Sequence, residues 1–368
     1  MNIATVELFV IEMPLKSPFV THLGAVTVRE GIIVKVTDQD GCSGYGEGVA
    51  FSTPWYTEET VKTSMHMLTD LLIPLLQHNP IQHPQQAAER FRSVRRNYMA
   101  KAALETALWD LYAKNKSQPL AKLLGGERAV IASGVVIATD SIINALKQID
   151  SYMEEGYQRF KVKINPQHDI TLLKEIRRHF PEIPLMADAN SSYTLQDIDR
   201  LKSLDEFQLL MIEQPLGVDD IIKHAALQKE LQTPICLDES IVTFEDAKNA
   251  IDLGSCKVIS IKAGRVGGLY EAKRIHDYCF QQHIPVWCGG MIEFGISRAH
   301  NIALASLPGF TIPGDISASS RFWEEDIISP EVTVKNGVVE VPTESGIGFC
   351  INEKRLNETI KAKKVFTF

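Results

Sequence analysis

Near its start the chain alternates apolar and polar side chains with a period of two, in ATVELFVIEM (residues 4–13) and again in EGIIVKVTD (residues 30–38). That period sends successive side chains to opposite faces and predicts two half-buried antiparallel strands. The second runs into Asp38-Gln39-Asp40-Gly41, a turn-forming stretch. The period then changes. Residues 58–76 read as a helix that ends near Pro80, and residues 99–114 set Leu104, Leu108, Leu111 and Tyr112 on one helical face. Gly125 and Gly126 predict a helix stop and a boundary between two units.

Beyond that boundary, short apolar runs alternate with amphipathic segments. The runs are IASGVVIA, RFKVKI, IPLMADAN, FQLLMIEQP, PICLDES, KVISIK, IPVWCGG and FTIPGD, and between them lie helical patterns such as DITLLKEIRRHF and TFEDAKNAIDLG. Strand–helix alternation implies a parallel sheet covered by helices, and eight such strands imply closure into a barrel whose active site lies at the carboxyl ends of the strands. A doubly wound open sheet is the competing fold, but the Ser133-Gly134 region carries no GxGxxG phosphate loop. The expected fold is α/β, a closed parallel barrel with a smaller N-terminal domain. Its expected divisions are residues 1–125 for the N-terminal domain, 126–322 for the barrel, and 323–368 for a tail that packs back on the N-terminal domain.

Composition narrows the partners. The net charge is -8 and no Lys/Arg block stands out, which argues against nucleic acid and anionic membrane surfaces. No apolar stretch reaches the ~18 residues that span a bilayer. The N-terminal residues lack the pattern of a signal peptide, and the cysteines at 42, 236, 256, 279, 288 and 350 form no CxxC pair. A cytoplasmic location with reduced thiols is expected, as is assembly with further copies of the chain.

The chemistry lies where the barrel strands end. The third strand ends in Asp188, the fourth in Glu213, the fifth in Asp238 and the sixth in Lys262, at spacings of 25, 25 and 24 residues. Equivalent positions on neighbouring strands reach one rim, so three carboxylates should converge and need a compensating cation. An all-oxygen shell suits Mg²⁺ or Mn²⁺. Each Asp could instead cap the following helix, but Glu is a poor cap and the regular spacing favours a site. On the second strand, Lys161 and Lys163 share a face, and Phe160, Val162 and Ile164 make the other face apolar. Solvated lysines on an edge strand would not need that apolar face. Buried, the pair needs the neighbouring carboxylates, and mutual repulsion beside a cation is expected to lower an amine's pKa. Lys163 is the expected base, Lys161 its tuning partner, and Lys262 an opposed amine across the barrel. Asn190 shares a strand face with Asp188, while Glu239 is expected to point away or stand behind the site. Met291 and Glu293 follow the seventh strand and are candidates to line the pocket. Gly289-Gly290 would let backbone approach a ligand. None of the ten histidines falls in HxH or HExxH spacing.

These residues resemble the enolase superfamily, muconate-lactonizing subgroup. The marks are Lys161-Val162-Lys163, Asp188-Ala189-Asn190, Glu213-Gln214-Pro215, Asp238-Glu239-Ser240, and Lys262 followed by Arg265-Val266-Gly267-Gly268. Cys288-Gly289-Gly290-Met291-Ile292-Glu293 and Pro313-Gly314-Asp315-Ile316-Ser317-Ala318 are similar to the o-succinylbenzoate synthase and N-succinylamino acid racemase family of Bacillus-like bacteria. A lysine base with Mg²⁺ is the known arrangement of enolase-superfamily sites. The resemblance implies a lyase that removes water from 2-succinyl-6-hydroxy-2,4-cyclohexadiene-1-carboxylate, through an enediolate, to give 2-succinylbenzoate for menaquinone. It equally leaves open racemisation of N-succinylamino acids by two opposed lysines, a reading that Arg265 supports. It implies a modified (β/α)7β TIM-type barrel under an α+β capping domain built from the N-terminal region and the C-terminal tail. It also implies cap loops that close over a small carboxylate substrate, matched here by Phe19-Val20-Thr21 and Pro54-Trp55-Tyr56, with Phe19 and Tyr56 as contacts. At Gly134-Val135-Val136-Ile137-Ala138 the chain departs from the serine and glycine frequent in relatives. A noncatalytic barrel that keeps its acids as helix caps, and a metal-assisted aldolase or hydrolase, are the readings from other classes.

Overall fold

The computed structural model describes residues 1–21, 24–77, 80–139 and 141–368, and the side chains of Val20 and Thr21 lie outside the described residues. The alternating N-terminal segments form the strands Ile3–Thr21 and Gly24–Asp38, which pair antiparallel and continue to Ser43–Gly48. On the other edge of this sheet lies Ile360–Thr367, so the C-terminal strand closes on the N-terminal one. Helix Tyr98–Asn115 packs against this sheet. Its approach depends on Gly46, where a Cβ would stand 2.2 Å from the Ala103 carbonyl. The helix read over residues 58–76 is Val61–Met67, then a wider turn over Leu68–Leu72 and a tighter one over Pro74–Leu76. Pro74 lacks an amide donor, so the regular α pattern does not carry through it.

The second unit is a parallel sheet of seven strands: β1 Val135–Ile137, β2 Phe160–Lys163, β3 Leu185–Asp188, β4 Ile212–Glu213, β5 Ile235–Leu237, β6 Val258–Ile261 and β7 Val286–Cys288. Helices follow the strands in alternation. Single parallel bridges from Val286 to Phe310 and from Ser133 to Gly314 bring residues 310–314 between β7 and β1, which completes a (β/α)7β barrel. The strands are buried on both faces, which explains why their sequences are almost continuous apolar runs. Met186, Met211, Cys236, Val258 and Trp287 form a buried apolar cluster within the barrel. Burial of a side chain such as Met or Val contributes about 1.5–3 kcal/mol.

The run IASGVVIA does not form one strand. Its first two residues belong to Val130–Ala132, which pairs antiparallel with Val338–Glu340, and only Val135–Ile137 joins the barrel. The break falls at Gly134, where a Cβ would meet the Arg159 guanidinium at 2.3 Å. The tail is therefore shared, with Val338–Glu340 against the barrel unit and Ile360–Thr367 in the N-terminal sheet.

Two carboxylates from the N-terminal unit dock onto the barrel. Glu47 accepts from the Phe294 and Ser297 amides at 2.9 and 2.8 Å, at the start of helix Gly295–Ala305. Glu105 accepts from the Leu269 and Tyr270 amides at 2.8 and 2.9 Å, at the start of helix Leu269–Gln281. Unpaired amides and the positive dipole end of a helix attract an anion. These two joints fix the cap over the carboxyl ends of the strands. Among the described residues, no helix is long and apolar enough to cross a membrane.

Candidate active site

The register of the parallel strands brings the predicted groups side by side. Lys163 pairs with Asp188 across β2 and β3, and Asp188 with Glu213 across β3 and β4. Asp238 and Lys262 each stand one residue beyond β5 and β6. Lys161 Nζ lies 3.1 Å from Glu213 Oε2, 3.4 Å from Asp188 Oδ2 and 2.6 Å from Asp315 Oδ2. Lys163 Nζ donates to Asp188 Oδ2 at 2.7 Å and to Asn190 Oδ1 at 2.6 Å. Across the barrel, Lys262 Nζ donates to Asp238 Oδ2 at 2.8 Å, and Arg265 also pairs with Asp238. Lys161, Lys163, Asp188, Asn190 and Lys262 all line one cavity of about 350 Å³.

The charges are not independent. Burial pushes the Glu213 carboxyl up, Asp188 adds to that shift, and despite Lys161 it stands well above the usual carboxylate range. Asp188 and Asp238 are held low, because Lys163 and Lys161 outweigh burial at the first and Arg265 and Lys262 at the second. Burial pushes the Lys161 ammonium down, but Asp315, Glu213 and Asp188 raise it well above its ordinary value, and Asp238 does the same for Lys262. At Lys161 and Lys262 the protein groups therefore do not impose the lowering expected from the sequence, because the facing carboxylates outweigh burial.

A divalent cation fits this donor set. Asp188, Glu213 and Asp238 supply only oxygen, and Glu213 Oε1 is buried without a hydrogen-bond partner. Among the described residues, no three acidic, histidine or cysteine side chains already close around one point, since Asp188 and Asp238 are engaged by lysine.

The cap supplies the remaining wall. The Tyr56 hydroxyl accepts from Lys262 Nζ and from an Arg265 terminal nitrogen, both at 2.9 Å. Burial and Asp238 push this phenol up to about 12, so it stays protonated at neutral pH. Phe19, Trp55 and Met291 add apolar surface. Three residues expected to touch substrate do not line this cavity. Arg265 lies beneath, donating to the Ile241 and Ser260 carbonyls as well as to Asp238. Gly289 makes room for Lys262: a Cβ there would come within 2.8 Å of the lysine Cε. Glu293 is buried against Asn301 and Ser297 at 2.8 and 3.3 Å.

Other residues enter to which the sequence reading gave no direct contact with the cavity. Glu239, expected to point away or stand behind the site, lines the cavity and accepts from Asn190 Nδ2 at 3.0 Å. Asp315 holds both Lys161 and Arg159, and its place at the end of the eighth apolar run was the signal for it. Gln214 accepts from the Asp238 and Ser240 amides at 3.1 and 3.3 Å, tying the end of β4 to that of β5. Nothing in a lone Gln marks that role. His276 and His300 are buried and hydrogen-bonded to backbone, away from the cavity.

Residues 4–125 match the mandelate racemase / muconate lactonizing enzyme N-terminal domain, and residues 144–355 match the enolase C-terminal domain-like family. The chain belongs to the enolase superfamily. Within it, the chain is similar to an o-succinylbenzoate synthase of Geobacillus stearothermophilus, 55% identical over 366 residues that cover 99% of this chain and 98% of the relative. An N-succinylamino acid racemase of Thermus thermophilus is 44% identical over 349 residues, 95% of this chain and 94% of that protein. The crystal structure of an enolase-superfamily member from Listeria innocua matches with a TM-score of 0.97 at 42% identity, covering 100% of this chain and 99% of the other.

Proposed function

We propose that this protein is an o-succinylbenzoate synthase, a carbon–oxygen lyase that dehydrates 2-succinyl-6-hydroxy-2,4-cyclohexadiene-1-carboxylate to 2-succinylbenzoate in menaquinone biosynthesis. The observation that carries the reading is that Lys163 on β2 and Lys262 just beyond β6 line one cavity with Asp188, while Glu213 and Asp238 stand at the ends of the next two strands. Whole-length similarity to the Geobacillus synthase supports it. Asp188, Glu213 and Asp238 would hold Mg²⁺ or Mn²⁺. When bound, that ion supplies Lewis-acid polarisation of the substrate carboxylate.

The chain's own groups do the rest. Lys163, as a free amine, takes the proton from the carbon beside the carboxylate, with Asn190 Oδ1 fixing its Nζ. Lys262 stays an ammonium and faces the negative charge that develops on proton loss. The Lys163 ammonium then returns a proton to the departing hydroxyl on the same face, the C–O bond breaks, and water leaves. Lys161 stays between Glu213, Asp188 and Asp315 and orients the first two. Phe19, Tyr56 and Met291 enclose the substrate. Turnover of the cyclohexadiene substrate in Mg²⁺ or Mn²⁺ tests this reading, and absence of turnover with either ion rejects it.

Racemisation of N-succinylamino acids is the second reading. Two lysines facing one cavity favour it, together with the similarity to the Thermus racemase. Exchange of the α-proton for deuterium in both enantiomers is its test. To the same proposal belong a cytoplasmic location, assembly with further copies of the chain, and division into a cap of residues 1–125, a barrel of 126–322 and a return segment of 323–368. The pairing of the C-terminal strand with the N-terminal one supports the last point.

A further inference from the structure

Four cationic side chains line the cavity: Lys161, Lys163, Lys262 and Arg321. Each lysine has a carboxylate within 3.4 Å. Arg321 differs. It donates at 2.7 Å to the Tyr152 hydroxyl and at 2.6 Å to the Val136 carbonyl, both neutral, and no carboxylate of the described residues pairs with it. These bonds engage two of the five N–H donors of a guanidinium. The side chain also lies over the Tyr152 and Phe322 rings, 5.5 and 5.6 Å from their centroids, which restricts its orientation.

Its place is as informative as its charge. Val136 is on β1 and pairs in register with Lys161 of β2, so Arg321 stands beside the β1 side of the mouth, while Lys262 follows β6. The adjoining Phe322 meets Phe19 of the N-terminal unit edge-on at 6.3 Å, which sets apolar surface beside Arg321. A fixed, half-buried guanidinium under apolar cover is suited to a carboxylate, which it can grip with two parallel hydrogen bonds.

The substrate and product proposed above carry two carboxylates, and only one belongs beside the lysine pair. Resting on that reading, we infer that Arg321 binds the second carboxylate, at the end of the succinyl chain, and sets the preference for a substrate with an anionic tail. The apolar wall of Val135, Val136 and Phe322 then takes the methylenes between the two charged ends.

The test compares binding of 2-succinylbenzoate with that of 2-butanoylbenzoate, in which a methyl group replaces the tail carboxylate. Calorimetry in Mg²⁺ is run on the wild type, Arg321→Gln and Arg321→Lys, with turnover and thermal unfolding followed on the same samples. The wild type should bind the succinyl compound roughly 10- to 100-fold more tightly, the range of a charge-assisted hydrogen-bonded pair. Arg321→Gln should bind both compounds alike, and Arg321→Lys, which keeps charge without the fork, should retain part of the preference. A folded Arg321→Gln protein that keeps the full preference overturns the inference while leaving the dehydration intact. Should Gln fail to fold, an Arg321→Lys protein with undiminished preference does the same. A wild type that neither turns over the cyclohexadiene nor binds 2-succinylbenzoate rejects the functional reading, and the inference with it.

Discussion

The Tyr56 hydroxyl of the cap lies 2.9 Å from Nζ of Lys262 in the barrel. One oxygen thereby ties the N-terminal unit to the position of the Lys262 ammonium, which the proposed reaction sets beside the reacting carbon. Tyr56→Phe keeps the ring and removes this acceptor from both Lys262 and Arg265. The expected result is a fall of about tenfold in kcat/KM, the lower end for one hydrogen bond to a charged group, with unchanged circular dichroism. An unaltered kcat/KM would show that the link does not serve the reaction.

Lys163 and Lys262 should separate by isotope exchange. Each change to Ala is expected to slow dehydration by about 10²–10⁴-fold, the usual effect of a positioned acid or base. With N-succinylamino acids, each variant should still exchange the α-proton of one enantiomer while losing the other. Nuclear magnetic resonance in deuterated water reads both. Loss of both enantiomers in one variant, with the other variant unaffected, would contradict the opposed arrangement.

Glu213 offers a test independent of turnover. Its buried Oε1 has no partner, and Asp188 and Asp238 add like charge, so a cation there should stabilise the fold. Saturation at a hundred times Kd corresponds to about 2.7 kcal/mol of stabilisation. Mg²⁺ should raise the Tm of the wild type and leave that of Glu213→Gln nearly unchanged. Equal shifts in both proteins would place the ion elsewhere.

Gly289→Ala is expected to act through Lys262. The added Cβ would come within 2.4 Å of Ser260 Oγ and 2.8 Å of Lys262 Cε. Overpacking of this kind costs about 1–3 kcal/mol, and the lysine is the neighbour free to move. The variant should lose kcat more than KM, with a modest fall in Tm. A purely structural effect would lower Tm and spare kcat.

Asp169 carries a pH-dependent part of the stability. Burial raises its carboxyl, but hydrogen bonds from Arg200 and Tyr193 outweigh that, and the net shift is down. The folded protein thus holds this proton less tightly than the unfolded chain. Its contribution is present above the unfolded value of about 3.9 and is lost as pH falls through the lower folded value. Asp169→Asn should cost about 1–3 kcal/mol at pH 7, a discounted figure because Arg200 is partly exposed and its charge is screened. The gap between variant and wild type in urea unfolding should shrink below pH 4. A gap that stays constant with pH would assign the loss to packing.

Much of the barrel was legible in the residues. Buried parallel strands need apolar side chains on both faces, so RFKVKI, IPLMADAN and KVISIK stand out, and the polar residue ending each run marks the rim. Near-equal spacing along alternating strands and helices carried Asp188, Glu213, Asp238 and Lys262 to one place. The strand face shared by Lys161 and Lys163 was equally readable, because side-chain alternation is a local property.

What the sequence by itself determined, then, is the set of groups whose position follows from a repeat along the chain. The tertiary structure alone decided which of their neighbours face the cavity. Arg265 and Glu293 lie behind it, Gly289 seats a lysine, and Arg321 and Glu239 line it. It also decided how IASGVVIA divides, since that depends on Arg159 packing against Gly134. The reason is physical: a period of two or a strand–helix repeat fixes direction relative to the local backbone. Whether a side chain in a loop meets a cavity or a neighbour depends on groups hundreds of residues away, such as the cap tyrosine that meets Lys262.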